Sequence, residues 1–128
     1  MSVTPCDTRP LVLIIDEEET ARDLYGRWFH VHGFQVACAV GISGVWWALR
    51  RERPQLIVTD LRARDLTFAD LTARLQCNES TRCIPVLVLT SACDPRVLAD
   101  VKAAGAVAVL PKWGDLDVLE SWVGVLSP

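Results

Sequence analysis

Four apolar runs of this chain each end on a side chain that could handle a phosphoryl group. Leu11–Ile15 runs into Asp16 and Glu17, and Leu56–Thr59 runs into Asp60. Val86–Leu89 runs into Thr90, and Ala106–Leu110 runs, after Pro111, into Lys112. If the runs are strands of one parallel sheet, their C-terminal ends share an edge, which is where open α/β sheets bind ligands. Three carboxylates, one hydroxyl and one ammonium then meet in one crevice. Hard carboxylate oxygens are what Mg²⁺ selects, and a carboxylate beside the ion is a competent nucleophile.

The elements that must position these groups follow from apolar spacing. Ala21, Leu24, Tyr25, Trp28 and Phe29 recur at helical intervals after the first run. Phe34–Val40 reads as a second strand, and Ile42, Val45, Trp46 and Leu49 form the next helical stripe, which closes at Pro54. Phe68, Leu71 and Leu75 predict a third helix. Asp94-Pro95 supplies an N-cap and a first-turn proline for a helix carrying Val97, Leu98, Val101 and Ala104 inward to a stop at Gly105. The last helix begins near Asp115 and carries Leu116, Leu119, Val123 and Leu126. Strands that alternate with helices imply a parallel sheet covered on both faces, because parallel connections need crossovers.

The bulk numbers fit one such domain. The chain has 128 residues, of which 51% are hydrophobic, enough for a real core. A formal net charge of −3 gives no basic patch of the kind nucleic acid needs. Cys6, Cys38, Cys77, Cys83 and Cys93 form no CxxC pair, and His30 and His32 lie far from them in sequence, so structural zinc is not expected. Scattered cysteines, odd in number, read as reduced thiols of a cytoplasmic protein. No signal peptide or membrane-spanning run is visible.

In order and strand context, the pieces LVLIIDEEE, PQLIVTD, IPVLVLTSA and AAGAVAVLPK resemble the receiver domain of two-component response regulators. The resemblance covers about residues 10–126, leaving residues 1–9 as an N-terminal extension of a single domain. It implies an α/β, flavodoxin-like (βα)5 fold: a doubly wound parallel five-stranded sheet of order 2-1-3-4-5. It implies Asp60 as phosphoacceptor, with Mg²⁺ held by Asp16, Glu17, Asp60 and the backbone carbonyl of Arg62. Lys112 would neutralise the phosphoryl oxygens, and Thr90 would bond one of them and report occupancy. The phosphoryl donor would be a sensor histidine kinase or phosphotransfer protein. The domain would catalyse only its own phosphorylation and dephosphorylation and would signal by altered protein–protein contacts. With no output segment after Leu126, output is expected through such contacts if these residues are the whole protein.

Several positions depart from the family pattern. The acidic doublet is Asp-Glu, so Glu17 is one methylene longer than the usual Asp at a geometry-sensitive ligand position. The loop after Asp60 has Arg64 and Phe68 where proline and glycine are common, which predicts a differently shaped loop. Trp113 follows Lys112 in place of proline, so either that peptide is trans and Lys112 is reoriented, or strain is retained. Val109 replaces the usual aromatic switch residue. These departures motivate a rival reading, a degenerate receiver acting as a phosphorylation-independent interaction module. A second apolar stripe on the last helix, Val118, Trp122 and Val125, predicts self-association through that helix, with Trp122 partly exposed in a monomer.

Overall fold

A computed structural model describes residues 8–126, so Cys6 and most of the N-terminal extension lie outside the described residues. The chain forms β1 (Leu11–Ile15), α1 (Glu19–Val31), β2 (Gln35–Ala39), α2 (Ile42–Glu52) and β3 (Leu56–Thr59). Two short strands follow, β4 (Arg62–Ala63) and β5 (Leu66–Thr67), then α3 (Phe68–Gln76), β6 (Val86–Thr90), α4 (Pro95–Ala103), β7 (Ala108–Pro111) and α5 (Leu116–Leu126). Five strands make one parallel sheet in the order β2-β1-β3-β6-β7. Counted along the sheet alone, that is the expected 2-1-3-4-5. The chain moves from β1 outward to β2 and returns to the other side of β1 at β3. A crevice therefore opens at the C-terminal ends of β1 and β3.

Alternation along each strand sends side chains to two cores. Leu13, Ile15, Ile57 and Val88 pack under α2, α3 and α4, against Val45, Leu71, Leu75 and Val101. Val12, Ile14, Val58 and Leu87 pack under α1 and α5, against Tyr25, Phe29, Leu119 and Val123. Central strands buried on both faces explain why their sequences are continuous apolar runs. Pro111 ends the edge strand β7, where a missing N–H costs the ladder little.

Helix boundaries follow local chemistry. Asp94 caps α4 by accepting the Arg96 N–H at 2.9 Å, and Asp115 accepts the Asp117 N–H at 2.8 Å at the start of α5. Gly105, at φ +121°, carries the chain out of α4. The inward face of α4 is narrower than its sequence predicts. Val101 is buried and Leu98 half-buried, while Val97 and Ala104 are exposed. The helix lies over the edge strand β7, which offers only a narrow surface to pack on.

Arg53, the C-cap of α2, holds φ +51°, ψ +67°. A side chain in this left-handed region costs about 1–2 kcal/mol relative to glycine, partly offset by glycine's greater freedom in the unfolded chain. Arg53→Gly is therefore expected to stabilise the domain by about 0.5–1 kcal/mol, raising Tm by about 2–4 °C. A lowered melting temperature would show that the Arg53 side chain holds the helix end.

Candidate functional site

The centre of the crevice is a buried ammonium. Lys112 Nζ lies 2.9 Å from Asp16 Oδ2, 2.8 Å from Glu18 Oε1 and 2.9 Å from Asp60 Oδ2. An ammonium has three protons to donate, and three carboxylates accept them. Burial by itself pushes the Lys112 pKa down. The hydrogen bonds to Glu18, Asp16 and Asp60 outweigh that, and hold it above the ordinary lysine range.

Strand ends place the carboxylates. The Asp16 N–H bonds the Ala39 carbonyl and the Asp60 N–H bonds the Ile15 carbonyl, so both residues extend the sheet ladder by one step. Asp16 is buried, and its Oδ1 also accepts the Glu18 N–H at 2.9 Å. Asp60 Oδ1 accepts the Leu61 N–H at 2.7 Å. The Asp60 side chain is 22% exposed, against 7% for Asp16 and 0% for Lys112. Of the two strand-end aspartates, Asp60 is the one a reactant reaches. Thr90 is buried at the end of β6, where its hydroxyl oxygen accepts the Ala92 N–H at 3.0 Å.

The structure thus brings Asp16, Asp60 and Lys112 into direct contact and sets Thr90 at the same sheet edge. Glu17 stands apart: its side chain is exposed and has no partner among the described residues. One oxygen from each of Asp16, Glu18 and Asp60 lies within 4.8 Å of the others. The third oxygen of that cluster comes from Glu18, and Glu17 as a metal ligand remains a proposal. Glu18 is the N-cap of α1 with extended backbone, φ −81° and ψ +119°, and its Oε1 reaches Lys112 Nζ at 2.8 Å.

The loop after Asp60 is a tight hairpin. Arg62 pairs with Thr67 and Ala63 with Leu66, and the Phe68 N–H bonds the Leu61 carbonyl at 2.9 Å. Arg62 thus occupies a non-hydrogen-bonded position, and its own carbonyl is left outside the ladder. Arg64 takes φ +60° at the first turn position, where glycine is usual. The Arg62 and Arg64 side chains face solvent.

On the other side, residues 111–114 form a turn closed by the Gly114 N–H on the Pro111 carbonyl. Every described peptide bond is trans, and Trp113 holds φ +65°. The Lys112 N–H stays in the ladder on the Thr90 carbonyl, and its stem reaches inward to the carboxylates. Backbone strain falls on Trp113. Its N–H donates to the Tyr25 hydroxyl at 2.7 Å, and its ring stacks on Tyr25 at 5.8 Å.

An all-oxygen donor set with one buried member fits a hard divalent cation. Removing a charged ligand weakens such binding, so Glu18→Gln is expected to lower Mg²⁺ affinity about tenfold and Glu17→Gln less than about threefold. Calorimetric titration of both variants tests this. The reverse order would mean that the loop turns Glu17 inward when the ion binds.

A family model described as the response regulator receiver domain matches residues 12–123. No curated protein matches the chain. Solved structures do. A response regulator receiver protein from Pseudomonas putida is 27% identical, with a TM-score of 0.82 over 92% of this chain and 98% of its own. The signal receiver domain of a signal transduction histidine kinase from Syntrophus aciditrophicus is 26% identical, with a TM-score of 0.81 over 91% of this chain and 89% of its own. A response regulator from Thermotoga maritima is 25% identical, with a TM-score of 0.79 over 92% of this chain and 97% of its own.

Proposed function

The chain belongs to the family of response regulator receiver domains, and from that premise we propose that Asp60 accepts a phosphoryl group from a histidine kinase or phosphotransfer protein. The observation that carries this reading is the Asp60 carboxylate itself, reachable at a strand end and 2.9 Å from a buried ammonium. One carboxylate oxygen attacks phosphorus, the bond to the donor's histidine nitrogen breaks, and an acyl phosphate remains. Lys112 balances charge on the phosphoryl oxygens. Thr90, whose only side-chain bond among the described residues is the one it accepts from Ala92, keeps its hydroxyl proton for a phosphoryl oxygen. Asp16, Glu18, Asp60 and the Arg62 carbonyl would hold Mg²⁺. When bound, the ion supplies charge neutralisation at the transferring group. The domain turns over no separate substrate. Phosphorylation withdraws Lys112 from its carboxylates and shifts the surrounding surface between two states.

Intact mass after incubation of the wild type with acetyl phosphate and Mg²⁺ tests the reading. A gain of one phosphoryl group supports it. A folded chain that stays unmodified favours the rival, a phosphorylation-independent interaction module. One observation speaks for that rival: Lys112 is already satisfied by three carboxylates, so the site is electrostatically closed without phosphate.

A cytoplasmic location is part of the proposal. Cys38, Cys77, Cys83 and Cys93 are all free thiols, and no described helix is long and apolar enough to cross a membrane. So is a homodimer through α5. Val118 and Val125 are exposed on that helix, and Trp122 is half-buried against the core. Sedimentation is expected to show wild-type association that Val125→Glu abolishes. A wild type that stays monomeric at high concentration, with or without a phosphoryl analogue, ends the dimer idea.

A further inference from the structure

The groove between α2 and α3 lies outside the acidic crevice, and its chemistry is the opposite. It encloses about 900 Å³, at the upper end of the range of small-molecule sites. Pro54 and Ile84 line it just before β3 and β6, so one end lies at the N-terminal edge of the sheet. Its cationic wall is Arg50, Arg53 and Arg74, and no carboxylate lines it. None of the three guanidinium groups makes an ion pair or hydrogen bond among the described residues. Three arginines share one concavity that no carboxylate lines.

The apolar wall includes Trp46, Leu49 and Leu75. The Arg74 guanidinium lies over the Trp46 ring at 5.2 Å, a cation–π pair whose other face can take a further planar group. The Trp46 indole N–H is buried and has no acceptor. An unmet buried donor is unfavourable, and it is the one such side-chain atom among the described residues.

We propose that this groove binds a small phosphorylated ligand of the nucleotide class. The base lies on the apolar wall and the Arg74 guanidinium, and the phosphates meet Arg50 and Arg53. Guanidinium groups suit phosphate because their planar donors bond two oxygens at once. The apolar wall distinguishes this site from a simple polyanion surface.

The test is calorimetric titration of the protein with ATP and with GTP in EDTA, which removes metal-dependent binding at the acidic crevice. One site per chain is expected. Inorganic triphosphate and adenosine, each carrying half of the ligand, should bind at least about tenfold more weakly. Arg53→Gly and Arg74→Ala should each weaken nucleotide binding about tenfold, the worth of one charge-assisted hydrogen bond or stacked pair. Arg53→Gly removes the guanidinium at a position whose backbone favours glycine, and the variant's melting temperature reports whether the fold is kept. Asp60→Asn should bind as the wild type does, which separates this site from the phosphoacceptor. The proposal fails if neither nucleotide binds at millimolar concentration. It also fails if both arginine variants bind unchanged, or if triphosphate binds as tightly as ATP.

Discussion

Asp60→Asn is expected to keep the mass of the unmodified chain under conditions in which the wild type gains one phosphoryl group. The amide is nearly isosteric, so its oxygen can still accept the Leu61 N–H that now bonds Asp60 Oδ1 at 2.7 Å. It has no anionic oxygen to attack phosphorus. It also removes one of the three negative charges around Lys112. Mg²⁺ binding should weaken about tenfold with the loss of a charged ligand. The fold should survive, because Asp16 and Glu18 still pair the ammonium. Asp65→Asn is the matched control. Asp65 accepts the Ile42 N–H at 2.8 Å at the start of α2, a cap that asparagine can replace. That variant should be phosphorylated like the wild type. A phosphoryl group gained by Asp60→Asn would move the acceptor to another carboxylate of the cluster.

Strand-end positions were legible because a buried parallel strand announces itself as an apolar run, and the polar residue that ends it must emerge at the sheet edge. Asp16, Asp60, Thr90 and Lys112 were all placed at the sheet edge that way, whereas the strand order came from the family resemblance. Other parts had no such marker. In the run from Asp16 to Glu19 composition cannot say which acid turns inward. Glu18 precedes the helix with extended backbone, and its contact with Lys112, 94 positions away, is beyond local reading. The strands β4 and β5 have two residues each, too short for any alternation to show. Their turn places Arg64 at φ +60°, a conformation that sequence rules give to glycine. Trp113 is the same kind of case. Its left-handed backbone is held by Tyr25, a residue 88 positions away, and local reading cannot supply a contact of that range. Strain of this kind sits in the two segments that follow Asp60 and Lys112, in keeping with its tendency to gather at ligand sites.

Lys112→Met is expected to slow phosphorylation of Asp60 by about 100-fold or more, the usual cost of deleting a charge aimed at the developing anion. It is also expected to destabilise the domain. Methionine fills the same channel without charge, so Asp16, Glu18 and Asp60 are left facing one another. Removing one partner of a buried pair costs about 3–5 kcal/mol. Here the Glu18 side chain is 51% exposed and that of Asp60 22%, so water screens part of the repulsion and about 2 kcal/mol is the expected loss. The pH dependence has a definite sign. The folded-state pKa of Lys112 is raised above its unfolded value, because hydrogen bonds to the three carboxylates outweigh burial. The stability it contributes is therefore complete below the unfolded pKa of about 10.4 and is lost as pH rises through the folded value. Urea denaturation should show a constant gap between wild type and Lys112→Met from pH 7 to 9, narrowing only above about pH 10. A gap that closes between pH 7 and 9 would mean that the ammonium gives up its proton within the neutral range. The carboxylates would then be held apart by the backbone bonds of Asp16 and Asp60 and not by Lys112.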